Sequence, residues 1–205
     1  MQIAIIDYGM ANLRSVQKAL ERVGHSADIT ADPGSLSRYD RIVLPGVGAF
    51  KDAVATLRSA GFVDPIRRHI DAGRPFLGIC LGLQMLFDSS DEDGLHEGLG
   101  IIPGRCTRFD VDSAFGLKVP HMGWNALTYA SATCPLYRGL ADGSNVYFVH
   151  SYHVEPADAG VVATTTDYGR PFVSSIAKGN VFATQFHPEK SQKVGLTILK
   201  NFAEM

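Results

Sequence analysis

A cysteine flanked by glycines, Gly78-Ile79-Cys80-Leu81-Gly82, follows the apolar run Phe76 to Ile79 and opens a helical pattern. This has the form of a G-x-nucleophile-x-G elbow with Cys in place of Ser. A sharp turn there pushes the nucleophile into a strained backbone conformation, and glycines leave room around it. The unpaired N–H groups of a following helix favour a thiolate. The Leu81 amide would point to where an oxyanion forms. A solitary cysteine is more often an inert core thiol; two glycines at a strand–helix junction favour the nucleophile. Cys106 and Cys134 lack this context and read as structural.

Acyl transfer at a thiol calls for a base, itself oriented by a further group. Of seven histidines, His187 in Gln185-Phe186-His187-Pro188-Glu189 is the strongest candidate. Pro188 holds His187 extended, and in an extended segment positions i and i+2 project to the same side. Glu189 can therefore reach the imidazole, completing a Cys80-His187-Glu189 triad. His25, His69 and His96 lie in polar, loop-like or helix-surface settings and are expected to be solvated. A second oxyanion donor is expected from Pro45-Gly46-Val47-Gly48, at Val47, where two glycines permit a peptide flip. The same loop could be a plain Gly-rich turn; a phosphate loop is disfavoured because no Lys-Ser/Thr follows.

These groups need a scaffold. Gln2 to Ile6, Ala27 to Thr30, Arg41 to Leu44 and Phe76 to Ile79 read as buried strands. A helix with Asn12 as N-cap carries the stripe Leu13, Val16, Leu20 and Val23 and stops at Gly24. Asp64-Pro65 reads as N-cap and N1 of a helix ending at Gly73, and another helix spans about Gly82 to Phe87. In the second half, Asn145 to Val149, Val161 to Thr165, Phe172 to Ile176 and Val181 to Phe186 are strand-like with few helices between, so some pair antiparallel. Lys193 to Phe202 is an amphipathic closing helix. The expectation is one α/β domain over 1–205, a mixed, mostly parallel sheet flanked by helices.

Composition narrows the classes. The 205 residues carry a formal net charge of −2 and are 45% apolar and 20% charged, which advertises no nucleic-acid footprint. No apolar run approaches the ~18 residues of a membrane span, and the N-terminus reads as a strand and not a signal peptide. Three cysteines without Cys-x-x-Cys argue against disulfides and zinc. A reducing, cytoplasmic setting with no metal or cofactor is expected.

Gly78 to Gln84 together with Phe186-His187-Pro188-Glu189 resembles the class I glutamine amidotransferases. Asp7 to Val16, Pro45 to Phe50, Pro120-His121-Met122-Gly123-Trp124-Asn125, Tyr147 to Tyr152 and His187 to Ser191 narrow the resemblance to the glutaminase subunits of imidazole glycerol phosphate synthase. Ala11, where that family usually has Gly, is comfortable only at negative φ; Leu83 replaces its usual Met at similar volume. The resemblance implies a flavodoxin-like fold, L-glutamine as substrate, and a heterodimer with a (β/α)₈-barrel cyclase subunit that consumes the ammonia in histidine biosynthesis. It implies Gly48, Gln84, Glu92, His150, Ser151 and Tyr152 as the glutamine pocket, with Glu92 suited to a substrate ammonium. Glu92 could equally be a solvated acid, and Tyr147 to Tyr152 ordinary core strand. Trp124, the only Trp, Lys190 beside the triad, and Asn12 at the carboxyl end of the first strand are expected to face the partner. The rival readings are a glutaminase serving another synthase, a non-catalytic glutamine-binding module and a cysteine peptidase; glutamine-dependent product with each candidate acceptor subunit separates the first two, and an ammonia-release assay the third.

Overall fold

The structure, a computed structural model, describes residues 1–110, 117–130 and 133–205. Strands and helices alternate first: β1 (Ile3–Ile6), α1 (Leu13–Arg22), β2 (Ala27–Thr30), β3 (Arg41–Gly46), α2 (Phe50–Ser59), α3 (Val63–Asp71), β4 (Phe76–Cys80) and α4 (Leu81–Gln84). Strands then dominate: β5 (Phe87–Ser90), β6 (His96–Glu97), β7 (Ile102–Arg108), β8 (His121–Ala126), β9 (Thr128–Tyr129), β10 (Asn145–His150), β11 (Tyr152–Pro156), β12 (Val162–Asp167), β13 (Pro171–Lys178) and β14 (Val181–Thr184). Helix α5 (Gln192–Ala203) follows.

The heart of the sheet is a parallel block in the order β2-β1-β3-β4-β14. Numbered along the chain, that is the flavodoxin-like order, whose sites form beyond the carboxyl ends of the strands. Past β14 the sheet continues antiparallel through β13, β11 and β7. β8 and β10 leave it and pair as a separate antiparallel ribbon.

Alternation along each strand sends neighbouring side chains to opposite faces. Ala4, Ile6, Ile42 and Leu44 meet Phe50, Ala53, Val54 and Leu57 of α2 and Ile66 of α3 on one side. Ile3, Ile5, Val43, Leu77 and Ile79 meet Val16 and Leu20 of α1 and Ile198, Leu199 and Phe202 of α5 on the other. The continuous apolar runs of the early strands thus follow from two covered faces.

Several local expectations shift. The helix expected over about Gly82 to Phe87 is one turn long, because the carbonyls of Met85, Leu86 and Phe87 accept N–H groups from Leu99, Ile101 and Gly100, and Phe87 opens β5. Helix α3 starts at Val63 with Phe62 as its cap, so Asp64 and Pro65 lie inside its first turn, where a missing N–H is harmless. Asn12 does precede α1, but its Oδ1 accepts the Ser15 hydroxyl at 3.1 Å and caps no backbone N–H. His69, expected to be solvated, is 4% exposed, with Nε2 3.1 Å from the Pro75 carbonyl. Ala11 is not among the residues with positive φ.

An aromatic cluster joins the ribbon to the main sheet. His121 stacks on Tyr168 at 4.0 Å and on Phe148 at 4.9 Å, and Phe109 lies 5.0 Å from His150 and 4.9 Å from His153. Burial pushes His121 down to about 4 and His150 down to about 3, and it lowers His153 as well. All three rings are neutral in the fold at pH 7. Below the unfolded value of about 6.5 the unfolded chain takes up protons that the folded chain refuses, so stability falls as pH drops from there toward 4. Denaturant titrations at pH 7, 6 and 5 should show the wild type losing roughly 1 kcal/mol per pH unit more than His121→Phe; parallel losses would place the acid sensitivity elsewhere.

Candidate active site

Cys80 ends β4 and adopts φ 55°, ψ −109°, a left-handed conformation that L-residues avoid. Three glycines make the turn possible, because each lies too close to its neighbours for a side chain. A Cβ on Gly82 would sit 2.0 Å from the Leu44 carbonyl oxygen, and one on Gly78 2.7 Å from the Gly82 oxygen. A Cβ on Gly46 would meet Leu81 Cβ and the Tyr8 hydroxyl, each at 2.9 Å. The elbow is thus wedged between β3 and the first turn of α4.

His187 follows β14, and its Nδ1 donates to Glu189 Oε1 at 2.8 Å, with both side chains almost wholly buried. Burial alone would lower the imidazole; the hydrogen bonds to Cys80 and Glu189 and their charges outweigh it and raise His187 to about 10. The buried Glu189 carboxylate thus favours the protonated form of the base. Its backbone is clamped to the ribbon: His187 N–H donates to the Tyr147 carbonyl at 3.0 Å, Tyr147 N–H to Ser191 Oγ at 2.9 Å, and Ser191 Oγ to the His187 carbonyl at 2.7 Å.

A pocket of about 350 Å³ opens over Cys80. It gathers Val47, Leu81, Gly48, Gln84, Glu92, His150, Ser151, Tyr152, His187 and Lys190, which are far apart in sequence, while Glu189 lies behind His187. Gln84 Nε2 donates to the Tyr152 carbonyl at 3.0 Å and to Gln185 Oε1 at 3.1 Å, so only its Oε1 is left for a ligand. His150 Nδ1 donates to the same Tyr152 carbonyl at 2.7 Å, which leaves a bare, unpartnered Nε2. Glu92 Oε2 accepts the Phe50 N–H at 2.6 Å and so caps α2 from outside that helix. Leu81 stands at the first position of α4, where an N–H has no helical acceptor. The Val47 N–H donates to the Met10 carbonyl at 3.2 Å and is turned from the pocket. Among the described residues no cluster of His, Cys, Asp and Glu could hold a metal ion.

Asn12 and Trp124 do not line the pocket; both are exposed, Trp124 at 47% and edge-on to Tyr147 at 6.0 Å. Three residues carry site geometry that the spacing argument passed over. Gln185 Nε2 lies 3.7 Å from Cys80 Sγ, the Tyr8 hydroxyl is buried without a partner under the elbow, and Ser191 locks the His187 turn. Gln185 was legible in principle, since it precedes His187 by two residues in an extended run.

Comparison with known proteins agrees with this geometry. Residues 4–205 match the family model "Glutamine amidotransferase class-I". The "Imidazole glycerol phosphate synthase subunit HisH" of Syntrophotalea carbinolica is 59% identical, covering 99% of this chain and 100% of that protein. The same-named subunit of Aquifex aeolicus is 54% identical over 98% of this chain and 96% of its own. Among solved structures, one described as "Structure of PurLQS from Thermotoga maritima" superposes with a TM-score of 0.74 at 20% identity, over 99% of this chain and 95% of that one, a likeness of fold alone. A nucleophile elbow, a paired base and this coverage meet in one conclusion: the chain belongs to the class-I glutamine amidotransferase family.

Proposed function

We propose that this chain is the glutaminase subunit of an imidazole glycerol phosphate synthase, hydrolysing L-glutamine to glutamate and ammonia and passing the ammonia to a cyclase subunit. The observation that carries the reading is the strained Cys80 in the wall of a pocket that it shares with a buried His187, which Glu189 orients. The identity to HisH subunits along their whole length supports that synthase over another.

In this mechanism the Cys80 sulfur adds to the carboxamide carbon of glutamine. The oxygen takes the negative charge and is met by the Leu81 amide, which has no helical acceptor. His187 gives its Nε2 proton to the departing nitrogen as the C–N bond breaks, leaving a thioester and ammonia. The now neutral imidazole removes a proton from water, whose oxygen adds to the thioester carbon; the C–S bond breaks and glutamate leaves. Glu189 holds the Nδ1 proton throughout and so fixes which nitrogen faces the substrate. Glu92 and the free Gln84 Oε1 suit the ammonium of the substrate, and the lone pair of His150 Nε2 suits a further donor. The second oxyanion donor would be Val47, once its peptide turns from Met10.

Exposed apolar side chains support a docking face around the pocket mouth. Val47 is 40%, Met122 67% and Trp124 47% exposed. Met122 pairs across the ribbon with Val149, which lines the pocket, and Trp124 with Tyr147, which holds His187. Lys190 and Asn12 are exposed too. A (β/α)₈-barrel cyclase subunit seated there would receive ammonia directly and would press on the loop that carries Met10. No described helix is long and apolar enough to cross a membrane, and a cytoplasmic setting suits the three free thiols.

Cys80→Ala should lower glutamine turnover at least about 10³-fold, while the cyclase partner mixed with the variant still makes product from ammonium salts; substantial glutamine turnover by the variant would sink the assignment. The isolated chain should hydrolyse glutamine slowly, and the liganded partner should accelerate it about 10²- to 10³-fold, the worth of one oxyanion donor; equal rates would mean that the hole is complete without the Val47 amide. Trp124→Ala should weaken association by about 2 kcal/mol with an unchanged melting temperature. A depressed melt with unchanged affinity would make Trp124 a packing residue.

A further inference from the structure

We propose that Gln185 holds the Cys80 sulfur through its side-chain N–H, as the last link of a hydrogen-bonded relay that starts at the Tyr152 backbone in the glutamine pocket. Gln185 is fully buried. Its Nε2 lies 3.7 Å from Cys80 Sγ and its Oε1 accepts Gln84 Nε2 at 3.1 Å. Gln84 Nε2 also donates to the Tyr152 carbonyl at 3.0 Å. The direction of the relay follows from chemistry. A backbone carbonyl only accepts, so Gln84 must turn its NH₂ to Tyr152. That NH₂ then requires an acceptor on Gln185, which leaves the Gln185 NH₂ for the sulfur. A reversed Gln185 amide would set NH₂ against NH₂ and carbonyl oxygen against sulfur.

The sulfur has a second neighbour, the Val149 carbonyl at 4.0 Å. A carbonyl suits the protonated thiol and an amide N–H suits the sulfur after its proton has left, so the pair favours different states of the nucleophile. A buried sulfur anion is costly unless donors surround it, and beside the imidazole the carboxamide supplies one without adding a charge. Gln185 and His187 project to the same side of one extended segment, with Phe186 buried between them. One extended segment after β14 thus brings both of these side chains to the side of Cys80. Because Tyr152 and Gln84 also line the pocket, the relay ties the orientation of the nucleophile to the wall that receives glutamine.

The inference deepens the glutaminase reading, but its main test does not depend on it. Iodoacetamide alkylation of Cys80, read by peptide mass mapping against pH, needs no glutamine. In the full chain, Gln185→Met removes the donor at similar volume. It should slow Cys80 alkylation at pH 7 about 10-fold and move the midpoint of the profile up by about one pH unit, the worth of a hydrogen bond to a charged group. Its kcat for glutamine, measured with the partner present, should fall by a similar factor while KM stays within about twofold. Gln185→Glu keeps an acceptor for Gln84 but sets a carboxylate against the sulfur, and it should slow alkylation further. A wild-type profile in either folded variant overturns the proposal, as does a raised KM with unchanged alkylation, which would make Gln185 a support of the pocket only. Should both variants lose the fold, the Gln185 side-chain amide resonance decides. An N–H that donates to sulfur moves between the thiol and alkylated forms of the wild type, and one that does not stays in place. A wild type that alkylates as described yet fails to hydrolyse glutamine would count against the function alone.

Discussion

The site depends on a steric constraint, the approach of the Gly82 Cα to the Leu44 carbonyl. A Cβ there would lie 2.0 Å from that oxygen, so no other residue can bring the start of α4 so close to β3. That approach forces the turn at Cys80 and its positive φ, which lifts the thiol out of the sheet toward His187. Strain of this kind costs of order 1–3 kcal/mol and persists only where the surroundings over-determine it. Here they do: β4 is held by β3 on one side and β14 on the other, and both faces of the sheet are filled.

Charge is handled by pairing in a dry space. The Glu189 carboxylate is buried with one oxygen on His187 and the other without a partner. The imidazolium compensates it through the Nδ1 proton, and the proton on Nε2 is the one the leaving nitrogen needs. The neighbouring histidines go the other way. His121, His150 and His153 sit among aromatic rings and stay neutral, so they add no positive charge to compete with His187. Two populations of histidine share one region of the molecule, and what separates them is a direct hydrogen bond to a buried carboxylate, which of these four only His187 makes.

Much of this was legible in the sequence, for reasons specific to each element. The parallel strands were readable because burial on both faces makes them continuous apolar runs, and the elbow because its glycines have a steric purpose that spacing exposes. The ribbon strand β8 was not, since His121-Met122-Gly123-Trp124 mixes buried and exposed residues without a clean alternation of polarity. Helix α2 carries no start signal in the sequence, because Ala49 offers no capping side chain. The short α4 was overestimated because the groups that unwind it, the N–H donors of Leu99 to Ile101, come from a later loop. The burial of His69 is not legible in the sequence, because its partner is a backbone carbonyl, which no residue type announces. The pocket residues named from family resemblance do converge around Cys80, although the direction of the Val47 amide depends on a carbonyl across the sheet edge.

The cap on α2 has a consequence for how the molecule opens. The helix begins directly after the loop that carries Val47, yet its first N–H is satisfied by Glu92, 42 residues later and on the far side of the nucleophile. Such a cap is worth about 1 kcal/mol, and it exists only when β5 and the turn after it are in place. Residues 47–50 and 87–92 are therefore coupled through this hydrogen bond and are expected to exchange their amide hydrogens together. Fraying of the acidic turn releases the start of α2 and with it the oxyanion loop, so the stiffness of that loop is a property of tertiary folding and not of its own glycine-rich sequence.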